Sequence, residues 1–224
     1  MGTIDITDIA ENYKKILQRI QEAAGRSKRD PQSIRTLAVT KTVSADRIGV
    51  AFQCGIRHAG ENRLQEALPK IDELHDLDLT WHFIGHIQTN KAKKIAENFP
   101  WIHSIDRSDV AEKLDRSATR PLNVLIEVKL HEEPNKSGIS EAGLSELVGA
   151  IRNCPQLKLQ GLMCVPPYLE NPEDVRPYFR RLRELALSFD LPELSMGMTH
   201  DFEIAIEEGA TWIRVGTGLF GSRM

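Results

Sequence analysis

The sequence has little of what marks secreted or membrane proteins. Only three cysteines occur among its 224 residues, at Cys54, Cys154 and Cys164. Such a sparse and odd number is typical of reduced thiols and argues against a disulfide framework. The N-terminus has no apolar stretch that resembles a signal peptide, and no apolar run is long enough to span a membrane. These absences predict a cytoplasmic protein with no membrane partner.

A strong charge bias is also missing. The formal net charge is −3 at pH 7, whereas domains that bind nucleic acid are usually strongly basic. Nucleic acid is therefore not expected as a partner, and the basic run between Lys91 and Lys94 is interpreted as a solvated helix face. Hydrophobic residues make up 41% of the chain and charged residues 27%. This composition is that of an ordinary globular protein with a sizeable core.

Short β-like runs recur eight times, and helical patterns separate them. The runs start at residues 36, 58, 81, 102, 123, 159, 193 and 212. Eight strand–helix units predict an α/β fold of the TIM (β/α)8 barrel type, and a doubly wound open sheet is the alternative. Because no linker-like or low-complexity segment interrupts the pattern, we expect a single domain over residues 1–224. An extra N-terminal helix is expected to plug or flank the N-terminal end of the barrel.

A lysine stands where the first predicted strand ends. Lys41 follows the apolar and β-branched run Leu37–Thr40, at the end of a barrel strand where barrel enzymes keep their chemistry. Arg214 lies in the last predicted strand, which neighbours the first when a barrel closes. Both cations are therefore expected at one mouth. The plainer interpretations are a solvated end-of-strand lysine and an ion pair between Arg214 and an inward carboxylate such as Glu127.

Two glycine-containing segments follow the last two predicted strands, where many barrels bind phosphate. In the segment Ile213–Arg223, three glycines let backbone amides approach a ligand closely, and Thr217 adds a hydroxyl. In the segment Ser195–Gly209, Thr199 is expected to cap the following helix. The N-terminus of a helix presents free amides that suit a phosphate.

A lysine, an arginine and a phosphate site at one mouth point to pyridoxal 5′-phosphate (PLP). A lysine that is desolvated beside another cation has a lowered pKa, and its free amine can form a Schiff base with an aldehyde. The rival hypothesis is a metal-dependent barrel hydrolase. It would use the histidines of the second to fourth predicted strands and the one that follows the third, which are His58, His82, His103 and His86. No His-x-His pair lies on one strand, so core or rim positions are favoured and no metal site is expected.

Seven segments in a fixed order carry a family resemblance over essentially the whole chain. They are AVTKT from Ala38, GENRLQE from Gly60, WHFIGHIQTNK from Trp81, NKSGI from Asn135, GLMCVPP from Gly161, LSMGMTHDFEIAI from Leu194 and IRVGTGLFG from Ile213. With them the chain resembles the YggS/PROSC family, the pyridoxal phosphate homeostasis proteins. The resemblance implies an alanine-racemase-like barrel that holds PLP at its mouth.

The resemblance also implies roles for individual residues. Lys41 matches the Schiff-base lysine, Asn62 a residue beside the cofactor ring, and Arg214 the arginine that faces the pyridine nitrogen. The phosphate-binding segments of the family contain the residues that match Ser195, Thr199, Gly216 and Thr217. Thr199 stands where the family usually has serine and keeps its hydroxyl, and His86 stands where a proline or small residue is frequent.

The residues favour a carrier of PLP over an enzyme. A guanidinium stays protonated and cannot readily give the pyridine nitrogen a proton, so the ring is a poor electron sink. A racemase also needs a second base, which in alanine racemases is a tyrosine of a separate domain. We expect that domain to be absent after the last strand, and Tyr168 is the only replacement candidate. No catalytic residue is assigned.

We therefore expect a protein that holds PLP on Lys41 and delivers it to apo-enzymes inside the cell. A PLP-dependent enzyme with weak amino-acid racemase activity is the alternative. A barrel enzyme acting on a sugar phosphate is a third possibility that would need a pair of carboxylates at the mouth. A monomer is expected, with a weak dimer as the alternative. Lys136, in the loop after the fifth predicted strand, is interpreted either as a solvated lysine or as a gate for the cofactor.

Overall fold

The structure is a computed structural model that describes residues 6–131 and 137–221, without the side chains of residues 6 and 7. Its strands are β1 (Arg35–Val39), β2 (His58–Glu61), β3 (Thr80–Phe83), β4 (Trp101–Ile105), β5 (Leu122–Lys129), β6 (Ile139–Ser140), β7 (Leu157–Met163), β8 (Glu193–Met198) and β9 (Trp212–Val215). Its helices are α1 (Ile6–Arg26), α2 (Ala45–Gln53), α3 (Leu64–Glu73), α4 (Ala92–Asn98), α5 (Ser108–Ser117), α6 (Glu141–Arg152), α7 (Arg176–Ser188), α8 (Phe202–Glu207) and α9 (Thr217–Phe220).

Eight parallel strands close into a barrel. The order is β1, β2, β3, β4, β5, β7, β8, β9, and β9 pairs with β1 to complete the ring. The predicted TIM barrel is confirmed, and the open doubly wound sheet is wrong. All eight predicted strands are present. The additional strand β6 pairs with β5 and was not predicted, because two residues carry too little pattern to recognise.

Side chains along β5 alternate between the barrel interior and the apolar layer under the surrounding helices. Val124 and Ile126 belong to the apolar cluster between the barrel and its helices, whereas Leu125 is buried outside that cluster. Successive side chains of a strand point to opposite faces. Leu125 therefore faces the barrel interior, and Glu127 has the same inward direction.

Rings fill much of the inner side of the barrel, beside aliphatic residues such as Leu125, whereas branched aliphatic residues dominate the interior of most barrels. Trp212 lies 4.8 Å from His58 and 4.9 Å from His82 between ring centroids, in edge-on contacts. Trp101 stacks on His82 with a centroid distance of 5.5 Å. Arg35 covers the Trp212 ring at 4.0 Å. The barrel core is thus aromatic and partly polar.

Helix α1 lies at the side of the barrel. Its buried face, with Ile9, Ile16 and Ile20, packs against α8 and α9. On the same side, Arg19 forms an ion pair with Glu203 of α8. The helix therefore flanks the barrel, and the alternative expectation that it plugs the N-terminal end is wrong. Within the described residues, no helix has the length and apolar character needed to cross a membrane.

Candidate functional site

Lys41 lies at the rim of the barrel, two residues after the end of β1. Its exposed side chain lines a cavity of about 550 Å³ together with Gly216 and Thr217, which follow β9. The predicted meeting of the first and last strands at one mouth is therefore present. The prediction treated Lys41 as desolvated, and the structure differs on this point because the Lys41 side chain at the rim is exposed to solvent.

The backbone after Lys41 is strained. Thr42 has a φ of 63°, in the left-handed region that β-branched residues rarely adopt. Its amide donates to Oε2 of Glu66 on α3 at 3.3 Å. Behind the turn, the Thr40 hydroxyl donates to Oε1 of buried Glu61 at 2.7 Å. These contacts hold the turn that presents Lys41, and strained residues of this kind are frequent at binding sites.

Arg214 forms the floor below the rim. Its Cα pairs with Leu37 of β1, which lies deeper in the barrel than Lys41 and four residues before it. Arg214 is 4% exposed. Its Nη1 donates to the carbonyl oxygen of Ser195 at 2.7 Å and to Oγ of Ser195 at 2.9 Å, and Nη2 donates to the carbonyl oxygen of Cys164 at 2.8 Å.

No carboxylate forms an ion pair with Arg214 among the described residues. The plainer interpretation of Arg214 as an ion-pair partner of Glu127 is therefore wrong. Burial lowers the pKa of Arg214, while the more distant charges of Asp201 and Glu127 act in the opposite direction. A guanidinium remains protonated in proteins, so an uncompensated positive charge lies beneath the mouth.

The two segments predicted to bind phosphate meet beside the rim. Oγ1 of Thr199 accepts the amide of Gly218 at 3.2 Å and lies 3.4 Å from Oγ1 of Thr217. A Cβ atom at Gly218 would lie 2.7 Å from Cγ2 of Thr199, so only glycine allows this approach. The hydroxyls of Thr199 and Thr217 therefore stand together with the backbone of Gly216 and Gly218.

Thr199 is not the helix cap that the sequence predicts. Helix α8 begins at Phe202 and its N-cap is Asp201. Oδ1 of Asp201 accepts the amide of Met198 at 2.6 Å, which closes the turn around Thr199. The Thr199 hydroxyl is consequently left to contact the segment after β9.

Ser195 lies elsewhere. Its side chain is fully buried in the barrel interior, where Oγ contacts Nη1 of Arg214 and lies 2.9 Å from Nδ1 of His103. The family resemblance assigned Ser195 to a phosphate-binding segment. The structure instead puts its hydroxyl against Arg214 and away from the Thr199–Thr217 contact.

A second cavity, of about 290 Å³, is lined by Asn62, His86 and Glu127, among other residues. Burial, and then the charge of Asp106, raises the pKa of Glu127 to about 7. Asp106 was not among the predicted site residues, although it directly follows β4 at the mouth. Asp106 and Glu127 are two carboxylates of the kind that the sugar-phosphate alternative would need. His86 contacts Ser137, with 3.1 Å from Nδ1 to Oγ.

The strand histidines do not form a metal centre. His82 lies between His58 and His103, with nitrogen–nitrogen distances of 3.1 and 2.9 Å. Across residues 6–131 and 137–221, no three His, Cys, Asp or Glu side chains are grouped so that they could hold a metal ion. The metal-dependent hydrolase therefore has no site in this part of the chain.

Two further predicted residues lie away from these groups or outside the described residues. Tyr168 is 78% exposed and its ring lies 5.2 Å from that of His200, in the turn after Thr199. Lys136 lies outside the described residues.

The polar groups at the mouth fit PLP. Three of the five N–H groups of Arg214 reach protein acceptors in the described chain, which leaves two, and one of these can donate to the pyridine nitrogen. Oδ1 of Asn62 is buried without a partner among the described residues, and the hydroxyl of the cofactor ring can donate to it. The hydroxyls and amides at Thr199, Gly216 and Thr217 suit the phosphate, and Lys41 supplies an amine.

Comparisons with known proteins agree with this fit. Residues 4–224 match the family described as alanine racemase, N-terminal domain. A pyridoxal phosphate homeostasis protein of Aquifex aeolicus is 47% identical over 222 residues, which cover 95% of this chain and 97% of the relative. Its counterpart in Escherichia coli is 40% identical over 232 residues, covering 97% and 98%.

A solved structure extends the comparison to three dimensions. PipY of Synechococcus elongatus, determined with PLP bound, superposes with a TM-score of 0.84 at 40% identity. The match covers 95% of this chain and 100% of PipY. This chain therefore belongs to the alanine racemase N-terminal domain family and, within it, to the pyridoxal phosphate homeostasis proteins.

Proposed function

We propose that this protein binds PLP at the mouth of its barrel, holds it covalently on Lys41 and takes part in PLP homeostasis by delivering the cofactor to apo-enzymes. The observation that carries the proposal is the arrangement of Lys41 and Arg214 on neighbouring strands. Lys41 offers a primary amine at the rim, and Arg214 has two unused N–H groups at the floor. A cytoplasmic location and a monomeric state belong to the same proposal.

Each residue has a separate task in this proposal. When bound, PLP supplies an aldehyde whose carbon forms a C=N bond with a primary amine while its oxygen leaves as water. Lys41 provides that amine, and Arg214 orients the ring by donating to its nitrogen. Asn62 accepts from the ring hydroxyl. The hydroxyls of Thr199 and Thr217, with the amide at Gly216, bind the phosphate.

Arg214 also favours holding the cofactor over transforming it. Because the guanidinium keeps its proton, the ring nitrogen receives a hydrogen bond without becoming protonated. The ring then withdraws few electrons from an attached carbon, which disfavours racemisation. Tyr168, the candidate second base, is exposed and packs on His200.

The alternative function is a weak amino-acid racemase, and one observation supports it. Glu127 lines the cavity beside Asn62, and its raised pKa of about 7 suits a group that gives and takes protons near neutral pH. Turnover of amino acids by the pure protein, lost in Glu127→Gln, would favour this alternative over the carrier.

Covalent trapping tests the assignment of Lys41. The protein is incubated with PLP, its absorbance is recorded, and borohydride then fixes the cofactor for peptide mapping. We expect the label on Lys41 in the parent and in the control Lys93→Ala, which alters an exposed lysine of α4. Lys41→Ala should lose the label while its far-UV circular dichroism stays that of the parent. Label on another lysine of the parent would refute the assignment.

Delivery requires its own measurement. The loaded protein is mixed with an apo-enzyme in the presence of an excess of a second protein that captures free PLP. Recovery of enzyme activity under these conditions, compared with the same amount of free PLP, supports direct transfer. Recovery no better than with free PLP would leave only storage of the cofactor.

A further inference from the structure

A line of hydrogen-bonded side chains runs through the barrel behind Arg214. Oγ of Ser195 lies 2.9 Å from Nδ1 of His103. Nε2 of His103 lies 2.9 Å from Nδ1 of His82, and Nε2 of His82 lies 3.1 Å from Nδ1 of His58. The three histidines come from consecutive strands β2, β3 and β4. We call Ser195 and these three residues the imidazole chain.

The histidines of the imidazole chain are neutral near pH 7. Burial lowers the pKa of His82 and His103 well below the ordinary value. The other histidines and Arg35 lower the pKa of His82 further, and Arg214 and then Arg35 lower that of His103. Burial, and then Arg35, lowers the pKa of His58 to about 4. A neutral imidazole carries a hydrogen on one nitrogen and accepts on the other. An imidazole that accepts a hydrogen bond on one nitrogen therefore donates from the other, so the direction of one hydrogen bond fixes the direction of the next.

Arg214 sets that direction. A guanidinium can only donate, so Oγ of Ser195 must accept from Nη1. The hydroxyl hydrogen of Ser195 then has one acceptor among the described residues, which is Nδ1 of His103. His103 consequently carries its hydrogen on Nε2. Nε2–H of His103 then donates to Nδ1 of His82, and Nε2–H of His82 donates to Nδ1 of His58. All three histidines are therefore Nε2–H tautomers.

The opposite direction leaves a buried donor without a partner. If His103 carried its hydrogen on Nδ1, Ser195 would accept from both His103 and Arg214. Its own hydroxyl hydrogen would then have no acceptor in the described interior, where Ser195 has no exposure. An unsatisfied buried donor is costly, and hydrogen-bonded polar networks of this kind rigidify a core only when every member is satisfied.

The imidazole chain fixes Arg214 without cancelling its charge. A carboxylate partner would also hold the guanidinium, but it would neutralise the positive charge below the mouth. The neutral chain leaves that charge available to a ligand. Aliphatic side chains would fill the same interior at less cost in polar burial, which indicates that the polar groups serve Arg214.

We propose that His58, His82 and His103 are positioning residues that hold Ser195, and through it Arg214, in the orientation in which an N–H group of Arg214 can donate to the nitrogen of the cofactor ring. This inference rests on the proposed function. It predicts the tautomers of the three histidines in the protein without cofactor. It also predicts how much more tightly the protein binds PLP than an analogue whose ring lacks the nitrogen.

The tautomers are measured first, in the protein without cofactor. Nitrogen-15 NMR of labelled histidine separates a protonated from an unprotonated ring nitrogen. We expect His58, His82 and His103 each to show protonated Nε2 and unprotonated Nδ1. Protonated Nδ1 at His103 would overturn the derived direction and with it the inference.

The second measurement compares PLP with an analogue in which C–H replaces the ring nitrogen. We expect the parent to bind PLP about tenfold more tightly, because a charge-assisted hydrogen bond to the nitrogen is lost in the analogue. His82→Leu interrupts the imidazole chain and should lower this preference several-fold. His82→Gln, whose amide can donate and accept, should retain it, as should the control His75→Leu at an exposed position.

The comparison separates positioning from stability. A general loss of structure would weaken the binding of both compounds equally and leave the preference for PLP over the analogue unchanged. An unchanged preference in His82→Leu would therefore overturn the inference. If that variant does not fold, Ser195→Ala removes the link to Arg214 and is read in the same way. If the parent binds neither compound, the proposed function itself fails. If it binds both with an unaltered ratio in the variants, the positioning role alone fails.

Discussion

At the scale of single residues, Lys41 and Arg214 divide the site between an accessible amine and a buried cation. The exposure of Lys41 at the rim lets an aldehyde reach it, and a second amine could later reach the same carbon. Arg214 is held from behind by Ser195 and Cys164. A carrier needs this combination, because its cofactor must be oriented firmly and yet remain open to exchange.

The left-handed conformation of Thr42 leads to a prediction about stability. Asparagine tolerates this region better than a β-branched residue does. We expect Thr42→Asn to raise the free energy of unfolding by about 1 kcal/mol. Thr119→Asn, at an exposed residue without positive φ, should stay within about 0.5 kcal/mol of the parent. Urea denaturation of both variants measures the difference, and equal stabilities would show that Thr42 is not strained.

The tight approach of Gly218 to Thr199 leads to a second prediction. The Cβ atom of Gly218→Ala would lie 2.7 Å from Cγ2 of Thr199, so the two segments predicted to bind phosphate must separate. We expect PLP affinity to fall by about tenfold, a loss of about 1.4 kcal/mol. Gly149→Ala, in the open interior of α6, meets no atom within 4 Å and should leave the affinity unaltered while adding up to about 1 kcal/mol of stability. Titration followed by absorbance gives both affinities.

At the scale of elements, the turn between β8 and α8 shows where sequence patterns stop being decisive. Thr199 and Asp201 are both good N-cap residues, and the pattern of the helix does not choose between them. The choice depends on Gly197, whose φ of 88° directs the chain after β8. The location of Lys41 and Arg214 at one mouth could be predicted from the order of the strands. The position of the Ser195 hydroxyl, in contrast, depends on partners from other strands.

The turn bond of Asp201 is testable. Oδ1 of Asp201 accepts the amide of Met198, so Asp201→Ala should cost about 1 kcal/mol of stability and loosen the turn that carries Thr199. Asp201→Asn keeps an acceptor oxygen and should lose less. If both variants bind PLP and unfold like the parent, the turn does not depend on this hydrogen bond. Thermal unfolding and cofactor titration provide the two measurements.

At the scale of the whole molecule, the barrel could be predicted because its strands recur with turns and helices between them. The interior could not. Alternation along one strand shows which residues share a face with His82, and along the next strand which share a face with His103. Only closure of the barrel puts the two histidines in contact with each other and with Ser195. The second cavity was missed for the same reason, since its lining residues Asn62, His86 and Glu127 come from or follow three different strands.

The buried ionisable groups predict how the stability of the whole protein without cofactor changes with pH. His82 and His103 have pKa values well below that of an unfolded histidine, which is about 6.5. Below pH 6.5 the unfolded chain therefore binds protons that the folded chain does not, and stability falls as the pH falls. Two such histidines contribute up to about 2.7 kcal/mol for each pH unit.

Glu127 acts in the opposite direction, and a substitution there isolates the effect. Its pKa of about 7 in the folded protein exceeds that of an unfolded glutamate, so between pH 4.5 and 7 the folded chain binds the extra proton and loses stability as the pH rises. This offsets part of the histidine contribution, to which His58 with its pKa of about 4 also adds. Glu127→Gln removes the offset, and we expect its stability to rise more steeply with pH than that of the parent between pH 5 and 6.5.

Glu170→Gln, at an exposed glutamate, is the matched control and should follow the parent. Urea denaturation at several pH values measures the slopes. Parallel curves for Glu127→Gln and the parent would mean that Glu127 is ionised in the folded barrel, and the same result would remove the support that its raised pKa lends to the racemase alternative.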